Sequence, residues 1–250
     1  MEKAVAKESY VPKPLPRIQS GIPGLDALTQ GGFEYNSTNL LAGSPGVGKS
    51  IFATQFLLGG MVLGEVCLFV TFEEKKEHFY SNMAEFGWNL QEFEDAGYFK
   101  FLEYSPSKVK TMLDEGGGDI ENIIVKNKVS RIVIDSISAF TLLFDNELDK
   151  REASMNLINI IKKWNCTSLL TYEDDSIGKG GDIHSTTLEF ESDAIIVLYL
   201  VRSKDRTRRE RFLEILKMRG TDHSTDMHAY KIGERGIVVS ERPSRDVPDL

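Results

Sequence analysis

Apolar positions along the chain follow two different periods. Short β-branched and aromatic runs predict strands at Ser37–Leu41, Val66–Thr71, Arg131–Ile134, Thr167–Tyr172 and Ala194–Val201. Between the first four, apolar residues on a 3.6-residue period predict helices over Lys49–Leu63, Lys75–Phe86 and Arg151–Trp164. Phe52, Ala53, Phe56 and Leu57 mark the buried face of the first of these. Three late runs, Phe212–Met218, His228–Ile232 and Gly236–Ser240, have no helical pattern between them. Strand–helix alternation followed by strands alone predicts an α/β fold: a mainly parallel sheet flanked by helices, with antiparallel edge strands. Ligands of such sheets bind at the carboxyl ends of the strands. Residues 1–16, with Pro12, Pro14 and Pro16, read as an extended arm, 17–242 as one domain and 243–250 as a polar tail. Gly116–Gly118 reads as a surface loop.

Composition narrows the function classes. Hydrophobic residues are 41% and charged residues 27% of 250, which excludes wholesale disorder and low-complexity scaffolds. The net charge of −8 disfavours non-specific binding to nucleic acid or anionic lipid, so those partners need a local basic cluster. No apolar run approaches the roughly 20 residues of a bilayer span, and the opening MEKAVAKESYVPKP has no signal-like core. Cys67 and Cys166 lie in apolar runs and read as buried thiols of a reducing compartment, so the expected location is cytoplasmic.

The sharpest chemical signal is Gly43-Ser44-Pro45-Gly46-Val47-Gly48-Lys49-Ser50, a G-x-x-x-x-G-K-[ST] loop between a predicted strand and a predicted helix. A phosphate chain is wrapped by backbone N–H groups, and small residues let the backbone come close. The helix start, running into Ile51, points its positive dipole end at the anion. Lys49 adds a full charge for the β- and γ-phosphates, and the Ser50 hydroxyl suits Mg²⁺. ATP and Mg²⁺ are therefore the expected ligands.

Asp135 ends an apolar strand and reads as a Mg²⁺ anchor beside this loop. Glu73 and Glu74 follow the strand Val66–Phe72, one helix and one strand after Lys49. On spacing alone they fit two roles equally: polarising the water that attacks the γ-phosphate, or stabilising the first turn of the next helix.

With SGIPGLDALTQGGF (20–33), GSPGVGKS (43–50), VTFEE (70–74), RIVIDSISAF (131–140) and EILKMRGTDH (214–223) in this order, the chain resembles the KaiC-like branch of the RecA superfamily of ATPases. The resemblance runs from about Arg17 to Arg242. It implies a RecA-type P-loop fold with a twisted sheet, and it makes Glu73 and Glu74 a catalytic pair and Asp135 the Walker B aspartate. It also implies that Lys217, Met218, Arg219, Thr221 and His223 reach the nucleotide of a neighbouring copy, within a ring that is commonly a hexamer. Lys217 and Arg219 are two apart on a predicted strand and so point the same way. A cation supplied across an interface would stabilise transition-state charge. In the phosphorylating repeat of such proteins the acceptor pair would fall near Glu189 and Phe190, neither of which accepts phosphate, so autokinase activity is not expected. His184, Ser185, Thr186 and Thr187 lie nearby but off register.

Two further segments read differently. Arg202–Arg211 holds six cations and two acids between strand patterns, a hairpin tip without the aromatic partners that base stacking needs. Ser176–Asp182 reads as a flexible loop, and the resemblance implies that it faces the channel of a ring, where it could touch a protein partner or a strand of nucleic acid. The expected function is thus Mg²⁺-dependent ATP binding and hydrolysis by a homo-oligomeric ring, with the nucleotide at the subunit interface, regulating a protein partner or an assembly. The alternatives are an ATP-gated interaction module with little hydrolysis, and a RecA-like single-stranded-DNA ATPase.

Overall fold

The computed structural model describes residues 15–105, 108, 118–177, 187–203, 205 and 207–245. The arm over 1–14, Gly116, Gly117, loop residues 178–182, His184–Thr186, Lys204, Arg206 and the tail from 246 lie outside the described residues.

A two-residue ladder, β1 (Arg17–Ile18) against β2 (Phe33–Glu34), brackets the short helix α1 (Leu25–Leu28). The chain then runs β3 (Thr38–Gly43), α2 (Lys49–Met61), β4 (Val66–Thr71), α3 (Lys76–Ala84), α4 (Leu90–Asp95) and β5 (Phe99–Glu103). It continues through α5 (Gly118–Asn127), β6 (Val129–Asp135), α6 (Ile137–Thr141), α7 (Glu147–Lys163), β7 (Thr167–Glu173) and α8 (Thr187–Glu191). Four strands close it: β8 (Ala194–Arg202), β9 (Arg209–Met218), β10 (His228–Gly233) and β11 (Gly236–Pro243). Main-sheet order is β11-β10-β9-β8-β3-β7-β6-β4-β5. The strands from β8 to β5 in that order are parallel, and β9, β10 and β11 are antiparallel. This is the mainly parallel α/β sheet with antiparallel edge strands that the pattern predicts.

Both faces of the sheet are covered. One apolar core joins α1, α2, α3 and α4 to the sheet through Phe52, Phe56, Leu57 and Phe79. The other joins α5, α6 and α7 through Ile120, Phe140, Leu157 and Ile161. A parallel strand buried on both faces reads as a continuous apolar run, which is why β4 and β6 are plain in the sequence. Helix α7 starts earlier than the predicted Arg151, because the Asn146 side chain accepts the Asp149 N–H at 2.9 Å and caps it. Gly118 is the first residue of α5 and not part of a loop, a correction to the glycine-run reading.

Topology fixes what can meet. Parallel strands put Gly43, Thr71, Asp135 and Glu173 at one edge, with Gly43 opposite Glu173 and Thr71 opposite Asp135. β9 runs the other way: Met218 pairs with Ala194, and Ala194 with Asn39 at the start of β3. From Asn39 to Gly43 the strand rises about 13 Å, so Lys217–Arg219 lie at the far edge of the sheet from the phosphate loop.

Arg131, in β6, is fully buried. Its guanidinium donates to both Glu65 oxygens at 2.6 and 3.1 Å, to the Gln19 carbonyl at 2.8 Å and to the Phe56 carbonyl at 3.0 Å. It also lies 5.0 Å from the Phe56 ring centre. The interaction ties the residues before α1 and the body of α2 to β6.

Candidate functional site

The loop between β3 and α2 is held open by its backbone. Gly46 and Gly48 have φ of 78° and 104°, a region that side chains disfavour. A Cβ on Gly48 would also lie 2.7 Å from the Ile232 side chain. Val47 is buried, and its carbonyl accepts the Tyr230 hydroxyl at 2.6 Å, so β10 braces the loop from behind. Burial pushes the Tyr230 phenol pKa upward, keeping it the donor in that bond.

Lys49 is only 7% exposed. Its Nζ donates to the carbonyls of Gly43 at 2.9 Å and Ser44 at 3.0 Å, and pairs with Glu173 Oε2 at 3.3 Å. Its charge is thus folded back along the loop next to the half-exposed Glu173 carboxylate. Ser44, Gly48, Ser50 and Ile51 keep partial exposure, and Pro45 and Gly46 form the exposed rim.

Ser50 Oγ donates to Asp135 Oδ2 at 2.7 Å, and Thr171 Oγ1 donates to Asp135 Oδ1. Burial raises the Asp135 carboxyl above its ordinary range, with Glu74 in the same direction, while the two hydroxyls and Lys49 pull the other way. Among the described residues no three or more His, Cys, Asp or Glu form a metal-binding group. A hydroxyl beside a carboxylate is nevertheless the hard-oxygen donor set that suits Mg²⁺, which takes few protein oxygens and leaves the rest to phosphate and water.

The two glutamates diverge. Glu73 is exposed and accepts the Ser136 hydroxyl at 2.7 Å, next to Asp135 in the chain. Glu74 turns onto α3, accepting from Asn82 Nδ2 at 2.7 Å and lying 3.3 Å from His78 Nδ1. Both backbone N–H groups donate to Thr71 Oγ1 at 3.2 Å, which fixes the turn that carries them.

Beside the loop, between β9 and β10, is a groove of about 600 Å³ whose lining includes Arg208, Arg209, Arg211, Lys231, Tyr230 and Ile232. The Arg211 Nε is buried without a hydrogen-bond partner among the described residues.

At the far edge, Lys217 Nζ and Arg219 Nη2 donate to one acceptor, the Phe190 carbonyl, at 3.2 and 2.8 Å. The two side chains therefore share a direction, as their spacing predicts. Desolvation and the neighbouring Arg219 lower the Lys217 pKa. Thr221 Oγ1 accepts from Arg17 Nη2 and donates to the Arg219 carbonyl at 3.1 Å. Met218 is buried with its sulfur 3.9 Å from Arg17 Nη1, and His223 Nδ1 lies 2.9 Å from the Ser224 carbonyl.

The structure thus brings Gly43–Ile51, Asp135, Glu73 and Glu74 to one edge and leaves Lys217–His223 at the other. Glu173, Ser136, Tyr230 and Arg17 join these groups unannounced by the motifs. Glu173 carried the same signal as Asp135, an acid ending an apolar strand; Arg17 carried none.

Comparison with known proteins identifies the family of the chain. The family described as ATPase: KaiC matches residues 18–244. The circadian clock protein KaiC3 of Synechocystis is 33% identical over 89% of this chain; the match spans 45% of that protein, so this chain corresponds to about half its length. A UPF0273 protein of Pyrococcus furiosus is 33% identical over 89% of this chain and 93% of its own. The crystal structure of a KaiC-like protein from Pyrococcus horikoshii superposes with a TM-score of 0.79 at 34% identity, covering 91% of this chain and 100% of that one.

Proposed function

The chain belongs to the KaiC family of ATPases, and from that premise we propose that it hydrolyses Mg²⁺-ATP at the boundary between copies arranged head to tail in a ring. Gly43–Ile51 and Lys49 hold the phosphates. The Lys49–Glu173 pair at 3.3 Å opens as the lysine turns to them. The groove beside Ile232 takes the nucleoside end, consistent with its size and its place next to Gly48. Ser50 and Asp135 would hold Mg²⁺, which supplies neutralisation of charge on the β- and γ-phosphates. Glu73, steadied by Ser136, receives the proton of the attacking water, and Glu74 supports it from α3. Lys217 and Arg219 of the next copy stabilise the charge that develops on the transferred phosphoryl group, with Thr221 and His223 beside the same nucleotide.

One observation carries this reading: Lys217 and Arg219 sit at the edge of the sheet opposite the phosphate loop of their own chain. They can serve a nucleotide only if it belongs to another copy. Head-to-tail contacts of this kind close into rings when the rotation allows.

Sizing the purified protein with and without Mg²⁺-ATP, while recording phosphate release, tests the reading. The expected result is nucleotide-dependent assembly, with turnover that falls on dilution and on Lys217→Ala or Arg219→Ala. A monomer hydrolysing at full rate, indifferent to both substitutions, would overturn it. Assembly with negligible phosphate release would make the protein a nucleotide-gated interaction module instead.

A further inference from the structure

Asp193 lies between α8 and β8 and makes contacts in two directions. Its Oδ1 accepts Arg219 Nη1 at 3.1 Å, and its backbone carbonyl accepts the Arg219 N–H at 2.8 Å. Its Oδ2 accepts the Thr38 N–H at 2.8 Å, while its own N–H donates to the Thr38 carbonyl at 2.7 Å. Thr38 is the first residue of β3. Two of these four contacts pin Asp193 to the central strand and the other two hold the backbone and side chain of Arg219, so the rigidity of β3 is carried to that one arginine.

We propose that Asp193 is the positioning residue for the trans-acting Arg219, an inference that rests on the interfacial reading above. An arginine side chain free in solvent must be ordered afresh at each turnover, and that ordering subtracts from the stabilisation it gives. Here one nitrogen is held by Asp193 and the other by the Phe190 carbonyl at 2.8 Å. A guanidinium has five N–H donors in a fixed fork, so two anchored contacts still leave donors for a phosphoryl oxygen. Arg219 is 52% exposed and Asp193 28%, so the pair is open to an incoming copy and contributes little to stability by itself. Its value lies in where it holds the charge. Arg17, bonded to Thr221 and to the carbonyls of Thr29 and Gly32, supports the following residues from the other side.

Subunit mixing separates positioning in trans from a structural role in β3. Asp193→Ala alone should lower kcat about 10- to 100-fold with KM for ATP little changed, the size expected when a catalytic group is misplaced but present. Asp193→Asn, which retains one acceptor oxygen, should lose less. Co-expressing Asp193→Ala with Lys49→Ala chains should then restore about a quarter of wild-type activity per protomer, by random placement of two chain types around head-to-tail contacts. The restored sites pair the sound loop of one chain with the sound Arg219 of the other. If Arg219→Ala with Lys49→Ala recovers activity but Asp193→Ala with Lys49→Ala does not, Asp193 acts on its own loop and the proposal falls while the interfacial reading stands. If neither mixture recovers, the interfacial reading fails and takes the proposal with it.

Discussion

The Ser50 hydroxyl donates to the Asp135 carboxylate over 2.7 Å, joining the first turn of α2 to the tip of β6. Thr171 serves the other carboxylate oxygen from β7. Three elements thus converge on one acid beside the phosphate loop, and each of its oxygens is already oriented before any ligand arrives. Such preorganisation is what a cation site needs if it is not to reorganise at each turnover.

Replacing Asp135 with Asn should therefore remove the steep Mg²⁺ dependence of hydrolysis and cut kcat by about 100-fold or more. Nucleotide affinity measured without Mg²⁺ should change little. Titrating Mg²⁺ against phosphate release in both proteins checks this, and an unchanged Mg²⁺ profile in the variant would reject the assignment.

The same substitution should raise the stability of the ligand-free protein at neutral pH. Burial penalises the ionised Asp135, so the folded chain holds that proton more tightly than the unfolded chain does. The stability linked to the proton is full below the ordinary carboxylate range and is lost as pH rises through the raised pKa. Asp135→Asn lacks that loss, so its advantage in thermal melting should widen from pH 4 to pH 8. A gap that narrows with pH would contradict the assigned direction.

Glu73 and Glu74 should separate on substitution. Glu73→Gln should lower kcat by about 100- to 10,000-fold with ATP binding intact, the range of general-base losses. Glu74→Gln should cost less, because its carboxylate is already committed to Asn82 and His78. Single-turnover phosphate release with filter-binding of ATP distinguishes the two effects. Full turnover in the double variant would remove both from the chemistry.

The sequence was legible where one kind of pattern dominated. β4, Val-Cys-Leu-Phe-Val-Thr, runs without a charged residue and is rich in β-branched and aromatic side chains, and its bounds Val66–Thr71 follow directly. β5, Phe-Lys-Phe-Leu-Glu, is a five-residue outer strand whose only strand signal is one alternation, Phe99 and Phe101 about Lys100, too short to stand out by itself. Helices α4 and α6, of six and five residues, span too few turns to show a period. The phosphate loop was readable because its chemistry is local. Asp135 and the glutamates needed strand ends to be brought level. The far-edge position of Lys217 and Arg219 depends on the antiparallel return of β9, which only the pairing of β8 with β3 establishes. Asp193 and Arg17 act through contacts with residues distant in sequence, and a sequence pattern has no term for those.

Arg131 and Glu65 give a prediction about stability in which the less buried partner matters more. Arg131 has no exposed surface, while Glu65 is 25% exposed. Glu65→Ala leaves a buried guanidinium with only the Gln19 and Phe56 carbonyls, and an unpaired buried charge costs about 3–5 kcal/mol. Arg131→Met leaves a carboxylate that can turn to water and two carbonyls without donors, a loss of about 1–3 kcal/mol. The double variant should sit close to Arg131→Met, since the charge that Glu65 compensates is already gone. Urea unfolding of the four proteins at constant slope measures the cycle. A larger loss in Arg131→Met than in Glu65→Ala would mean that the guanidinium's ties to α2 and to the residues before α1, rather than its charge, set its contribution.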